Sequence, residues 1–344
     1  MMLSVLPDVL RWTHDPVVTI SAVENRYVEV LGTRLGEVLA NICRSDAALG
    51  ARLAAWVEVA DVHRLRECLL MPETSRRLVT GLHSFAEVRD HLVTCLSDHR
   101  RNIDSIGLLS GRIPVVAEPV PDPRMDGVLR QAEHSMALMV QGCPQASNFV
   151  CRTMRRLVLR QDGNCMSFAS NSPQGLVGLA VLRNAHLLDV DEVVITEALV
   201  HEAIHGFVGM SEAIGLAGRR PDERWLSDDR YYEGFSCTVS PWTGTPLDLP
   251  TYLHACFVWW GLLHLWATLS GSGLFDERRM RSRLVRAARG FKDRALLKPL
   301  LPHQATVHPT LIASFDAMGG EVDNLLVGSG LGLLIARLDA AATS

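Results

Sequence analysis

The run YLHACFVWWGLLHLWATL, residues 252 to 269, has no polar face. A helix that is apolar all round must be surrounded, either by protein or by lipid. The run is close to the roughly 20 apolar residues that a membrane span needs. Yet His254 and His264 interrupt it and no Lys or Arg flanks it closely. It reads as the central helix of a large core, in a chain of 344 residues that is 48% apolar and long enough to bury one.

The elements expected around that helix are mostly helical, giving a mainly α (α+β) fold. Residues 1–106 read as a helical N-terminal region, because SAVENRYVEVLGTRLGEVLANICRS and ALGARLAAWVEVADVHRLRECLL repeat apolar residues at helical spacing. A third helix follows Ser84, a suitable N-cap with Glu87 three residues on. Residues 107–128, rich in Pro and Gly, read as an extended connection. Residues 129–344 read as the metal-binding catalytic region.

Within that region GVLRQAEHSMALMV and ASNFVCRTMRRLVLR are expected to be helices. CMSFASNSPQGLVGLAVLR is expected to give two short β runs joined by NSPQG. DVDEVVITEALVHEAIHGFVGM then reads as a helix with Asp189 as its N-cap and Glu192 three residues later.

Composition narrows the function classes. A net charge of −4 lacks the cationic surplus that binding nucleic acid requires. The start MMLSVLPDVLRW has no basic segment ahead of its apolar run, so no secretory signal is expected. The eight cysteines are scattered without a C-x-x-C pair, which points to reduced thiols in a cytoplasmic protein. The basic stretch DERRMRSRLVRAARGFKDRALLK reads as a solvated helix face.

The chemistry is carried by VHEAIH. On a helix, residues four apart lie about 40° apart, so His201 and His205 can reach a single ion. Glu202 sits about 100° round from His201 and can hold a water or a substrate group beside that ion. The motif lies in an apolar helix, where unpaired polar side chains are costly. Two residues compete for third ligand. His254 opens the long apolar helix, whereas Glu233, in YYEGFS, suits the spacing of zinc peptidases and otherwise lines the substrate pocket. His254 is favoured, because its turn should be buried and a buried imidazole needs a partner. His91, Cys95 and His99, also spaced by four, form a weaker metal set. There is no phosphate loop, dinucleotide fingerprint or G-x-S-x-G elbow.

Taken together, SFASNSPQGLVGL, ALVHEAIH and SPWTGTPLDLPTYLHACFVWWGLL resemble a bacterial family of HExxH proteins found with peptide natural-product pathways. Members of that family are linked to Fe(II)- and 2-oxoglutarate-dependent hydroxylation of amino-acid residues. The resemblance covers roughly residues 160 to 270. It matches Ser167, Ser170 and Gly175 in a serine-rich strand, then the His201–Glu202–His205 motif. It continues through Ser240, Pro241 and Trp242 to Leu253 and His254.

What the resemblance implies is a non-haem Fe(II)/2-oxoglutarate-dependent hydroxylase. His201, His205 and His254 would hold the metal, Glu202 would be catalytic, and Ser167, Ser170 and Trp242 would face the cosubstrate. The substrate would be an amino acid, a carrier-bound aminoacyl group or a peptide. The sequence departs from the family at Thr243, where an arginine follows the tryptophan, and at PLDLP, which replaces an R-P pair. Arg183 and Arg224 are the candidates to replace the missing arginine. The alternative from the residues alone is a zinc hydrolase with Glu202 as general base and Glu233 as third ligand.

Overall fold

A computed structural model describes residues 3–45, 105–118, 123–163, 167–173, 176–217, 223–227 and 237–329, with the isolated positions 47, 48, 51, 69, 70 and 87. The fold is mainly α with a small mixed sheet. The chain divides into two compact units, each discontinuous in sequence.

The first unit comprises Val17–Met136 and Phe149–Arg219. Its long opening helix α2 (Val17–Ser45) follows the short α1 (Leu6–Val9) of the other unit. The inner face of α2 carries Ile20, Val23, Tyr27, Val30, Leu31 and Leu35, a helical stripe buried toward the core. The sheet consists of β1 (Gly107–Leu109), β2 (Ile113–Glu118), β3 (Arg156–Arg160), β4 (Ala169–Asn171) and β5 (Leu179–Arg183). Their order is β1-β2-β3-β5-β4. The pairs β2–β3 and β3–β5 are parallel, while β1 and β4 pair antiparallel at the two edges.

The inner strands have runs buried on both faces, Leu157–Leu159 in β3 and Ala180–Leu182 in β5, as parallel strands covered on two sides must. Strand β4 is half-buried to exposed, as befits an edge.

Three expectations change. The segment read as an extended connection contributes β1 and β2 before α3 (Pro123–Gly142) begins. The helix expected across ASNFVCRTMRRLVLR stops as α4 (Pro144–Thr153), and RLVLR is strand β3. Its short continuous apolar run continues a helix as readily as it makes a strand, and the pairing with β2 and β5 decides. Helix α5 (Glu192–Ala217) is capped by Asp191, whose Oδ1 accepts from the Val194 N–H at 3.0 Å, rather than by Asp189. The Ser84 cap and the His91–Cys95–His99 set lie outside the described residues.

Helix α5 packs on α2 and on β4 and β5. Gly206 and Gly178 make the approach to the sheet side close. A Cβ on Gly206 would stand 3.3 Å from the Gly178 nitrogen and 3.4 Å from the Thr153 carbonyl oxygen, both backbone atoms. Gly178 itself has φ +80° and its carbonyl accepts from the Arg155 and Arg156 N–H groups at 2.7 and 3.1 Å. Only glycine takes that conformation without strain.

The second unit comprises Met1–Pro16, Ala137–Asn148 and Arg220–Ser344. A hairpin of β6 (Cys237–Val239) and β7 (Pro246–Asp248) leads into α6 (Leu249–Leu269), the apolar run identified above. Asp248 caps α6, its Oδ1 accepting from the Thr251 N–H at 2.7 Å. Helix α7 (Glu277–Arg289), a 3-10 segment (Lys292–His303) and α8 (Pro309–Ser329) follow. The N-terminal segment is pinned to α6 by the indole N–H groups of Trp260, donating to Pro7 O, and of Trp12, donating to Gly261 O. Arg11 also makes a double hydrogen bond to Glu321 of α8.

Among the described residues one helix, α5, is long and apolar enough to cross a membrane by length and composition; 72% of its most apolar window is buried inside the protein. That burial is the environment of a core helix. Cys143 and Cys256 are buried free thiols, and Cys151 is a half-buried one.

Candidate metal centre

Helix α5 is buried on every side but one. Its half-exposed stripe runs Val194, Glu197, His201, His205, Gly209 and Glu212, residues three or four apart along one face. The histidine pair thus occupies the accessible line of an otherwise enclosed helix. The two Nε2 atoms lie 3.2 Å apart, with ring centroids at 4.9 Å. Two nitrogens each about 2.1 Å from one ion lie about 3.0 Å apart at an octahedral right angle and about 3.4 Å apart at the tetrahedral angle. The observed spacing fits a single ion and accommodates either geometry.

Glu202, beside the pair, is buried, with only 2% of its surface exposed. Its Oε2 accepts a 2.7 Å hydrogen bond from the Ser172 hydroxyl. Its Oε1 has no hydrogen-bond partner among the described residues and lies 3.9 Å from His201 Nε2. Burial pushes the carboxyl above its ordinary range, opposed by the charge of His205 and by the Ser170 and Ser172 hydroxyls, which favour the ionised form. The donor atoms of His201, Glu202 and His205 all lie within 4.8 Å of one another. An orphaned, buried carboxylate oxygen beside two converging imidazoles is the donor chemistry of a divalent-metal site: neutral nitrogens to hold the ion, and an acceptor to hold what binds it.

The serine-rich strand supplies the second side. Side chains alternate along an edge strand, so Ser170 and Ser172 project to the same face, the one against α5, while Asn171 turns outward and is exposed. Ser172 hydrogen-bonds the Glu202 carboxylate directly, and the Ser170 hydroxyl stands near enough to favour its ionised form. The resemblance names Ser170 as a residue facing the cosubstrate, whereas here it stands by the Glu202 carboxylate; it does not name Ser172, for which the two-residue spacing in SFASNS is the signal. Ser167 is exposed, and its carbonyl accepts from Asn184 Nδ2 at 3.2 Å.

Arg183 stands opposite Ala169 in the β4–β5 register, one position along from the Ser170↔Leu182 pair. Directly paired residues share a face, so Arg183 projects to the side of the sheet away from Ser170 and α5. There its Nη1 lies 4.0 Å from Asp162 Oδ2.

The remaining sequence candidates belong to the second unit or lie outside the described residues. His254, half-buried on α6, packs its ring 5.3 Å from that of Trp225. Trp242 is buried: its Nε1 donates to Ala287 O at 2.9 Å and its ring stacks on Trp259 at 5.8 Å. A Cβ on Gly290 would come within 2.1 Å of that indole, so Trp242 is wedged among core residues of its own unit. Arg224 lies in the same unit, and Glu233 is outside the described residues.

Comparison with models of known protein families finds no match, and comparison with curated proteins finds none either.

Proposed function

We propose that the chain is a metal-dependent enzyme in which His201 and His205 hold a divalent ion, and that it is a non-haem Fe(II)/2-oxoglutarate-dependent hydroxylase of amino-acid or peptide residues. The observation that carries the metal reading is the 3.2 Å convergence of the two Nε2 atoms beside the orphaned Glu202 oxygen. The choice of iron rests on the motif resemblance across residues 160 to 270. Fe(II), when bound, would supply the oxidising chemistry, with 2-oxoglutarate as its electron source.

The chain's own residues then have defined tasks. His201 and His205 present their Nε2 atoms on the accessible stripe of α5. Glu202, held at Oε2, offers Oε1 to a water or a substrate amine. The packing of α5 between α2 and the sheet fixes both. The sequence favours His254 over Glu233 as the third donor, and the alanine variant that loses the metal identifies it. The acidic net charge fits a small-molecule or peptide substrate rather than nucleic acid, and the core packing of α5 fits a cytoplasmic protein rather than one inserted in a membrane.

Zinc-dependent hydrolysis is the second reading, and the arrangement of Glu202 favours it: an acceptor beside the histidine pair is also what a hydrolytic general base requires. Arg183, turned from α5, adds no carboxylate clamp in favour of the cosubstrate. Metal analysis of anaerobically purified protein, followed by reconstitution with Fe(II), oxygen and 2-oxoglutarate, decides between them. The assay should use a panel of free amino acids, carrier-bound aminoacyl groups and peptides. Succinate formed only in the presence of a substrate supports the hydroxylase. Tightly held zinc with peptide cleavage and no succinate supports the hydrolase.

A further inference from the structure

A glutamate side chain ends in a torsion that is broad and two-fold, so an unrestrained carboxylate turns freely about it and holds no fixed direction for its acceptors. Glu202 is restrained. The Ser172 hydroxyl lies 2.7 Å from Oε2 and 3.4 Å from the Glu202 carbonyl oxygen, straddling the side chain and its own backbone. With Oε2 engaged, Oε1 is the acceptor left beside the histidines, 3.9 Å from His201 Nε2 and without a hydrogen bond among the described residues. Ser172 stands just past the end of the short edge strand β4, so the strand and the motif helix meet through this contact.

We propose that Ser172 is a positioning residue of the metal centre: its hydroxyl fixes the orientation of the Glu202 carboxylate, so that its free oxygen is presented to whatever binds between His201 and His205. The inference rests on reading the histidine pair as a metal site and deepens that reading. It adds a residue to the HExxH motif that lies 29 positions before the motif's first histidine. Ser170, on the same face of the strand, assists the same carboxylate without the direct 2.7 Å contact that defines the Ser172 role.

The test uses cobalt(II) as a spectroscopic probe of the metal-free full chain. Wild type, Ser172→Ala, Ser172→Thr and Glu202→Gln are each titrated with the metal at one fixed pH. Visible spectrum and stoichiometry are recorded, and circular dichroism controls for folding. Position 172 is half-buried, so alanine fits there without leaving a large void. The expected result is about one cobalt per chain in all four proteins. Ser172→Ala should shift the d–d bands in the direction set by Glu202→Gln and weaken binding about 10-fold, the lower end of effects seen for groups behind a ligand. Ser172→Thr, which keeps the hydroxyl, should restore the wild-type spectrum. A Ser172→Ala spectrum superimposable on wild type overturns the proposal, as does a threonine variant that behaves like alanine. Wild-type protein that takes up no cobalt overturns the metal reading itself, a result distinct from the other two.

Discussion

Helices α5 and α6 are the two most apolar long helices described, and both carry two histidines, yet they use them differently. On α5 the histidines are four apart, share one turn and bring their Nε2 atoms to 3.2 Å. On α6, His254 and His264 are ten apart, so about 80° of helix rotation and 15 Å of rise separate them. Each packs its ring against an aromatic neighbour: His254 on Trp225 at 5.3 Å, and His264 on Trp260 at 4.3 Å. A histidine in an apolar helix is therefore not by itself a site. Convergence within one turn, together with a buried carboxylate oxygen left without a donor, is what distinguishes α5.

The largest effect that would break this contrast is on metal binding. His201→Ala and His205→Ala should each weaken binding of a divalent ion by more than about 100-fold, since loss of a direct ligand exceeds the 10- to 100-fold cost of losing a group behind one. Competition titration against a chelator of known affinity measures it. His264→Gln should leave the affinity at the wild-type value.

Next come the glycines that let each helix seat. Gly290→Ala places a Cβ 2.1 Å from the Trp242 indole, which must leave its stack on Trp259, at a cost of about 3 kcal/mol or more. Gly206→Ala meets backbone atoms at 3.3 and 3.4 Å. Its cost should be smaller, about 1–2 kcal/mol, because alanine regains some helix propensity. Chemical denaturation of the two variants side by side checks the order.

The third effect is pH-dependent. Burial drives His264 down to about 4 from its ordinary 6.5, partly offset by Glu321 and reinforced by Arg11. Its Nε2 lies 3.7 Å from Glu321 Oε1. Because the folded state binds this proton less readily than the unfolded chain, the contribution is complete above pH 6.5 and is lost as the pH falls toward 4. The ceiling is about 3 kcal/mol for a shift of this size. Thermal melts between pH 4 and 7 should show that acid loss in wild type and a flatter limb in His264→Gln.

The smallest effect is at the caps. Asp191→Ala and Asp248→Ala each remove the side-chain acceptor at a helix start and should cost about 1 kcal/mol. Asp191→Ala should also loosen metal binding slightly, since it frays the helix that carries the pair, while Asp248→Ala should lower thermal stability alone.

The comparison also shows what the sequence makes legible. The HExxH spacing and the all-round apolarity of 252–269 reach the reader directly, because helix geometry converts both into positions. The strands β1 to β3 do not. RLVLR is five residues long, too short for periodicity to separate strand from helix, and parallel pairing with β2 and β5 decides it from far along the chain. The cap of α5 moves by two residues for a similar reason: Asp189 and Asp191 both suit the position, and only the hydrogen bond to Val194 selects one. Ser172 was visible in the alternation of SFASNS, but its meaning depends on which face α5 covers, and sequence alone does not say.

The most direct test of the central claim is the metal content of the protein purified without oxygen, measured by mass spectrometry for wild type, His201→Ala, His205→Ala and His264→Gln. The account predicts about one divalent transition-metal ion per chain in wild type and in His264→Gln, and background levels in the two α5 variants. Wild-type levels of metal in His201→Ala or His205→Ala, or a metal-free wild-type protein that takes up no ion on reconstitution, would contradict it.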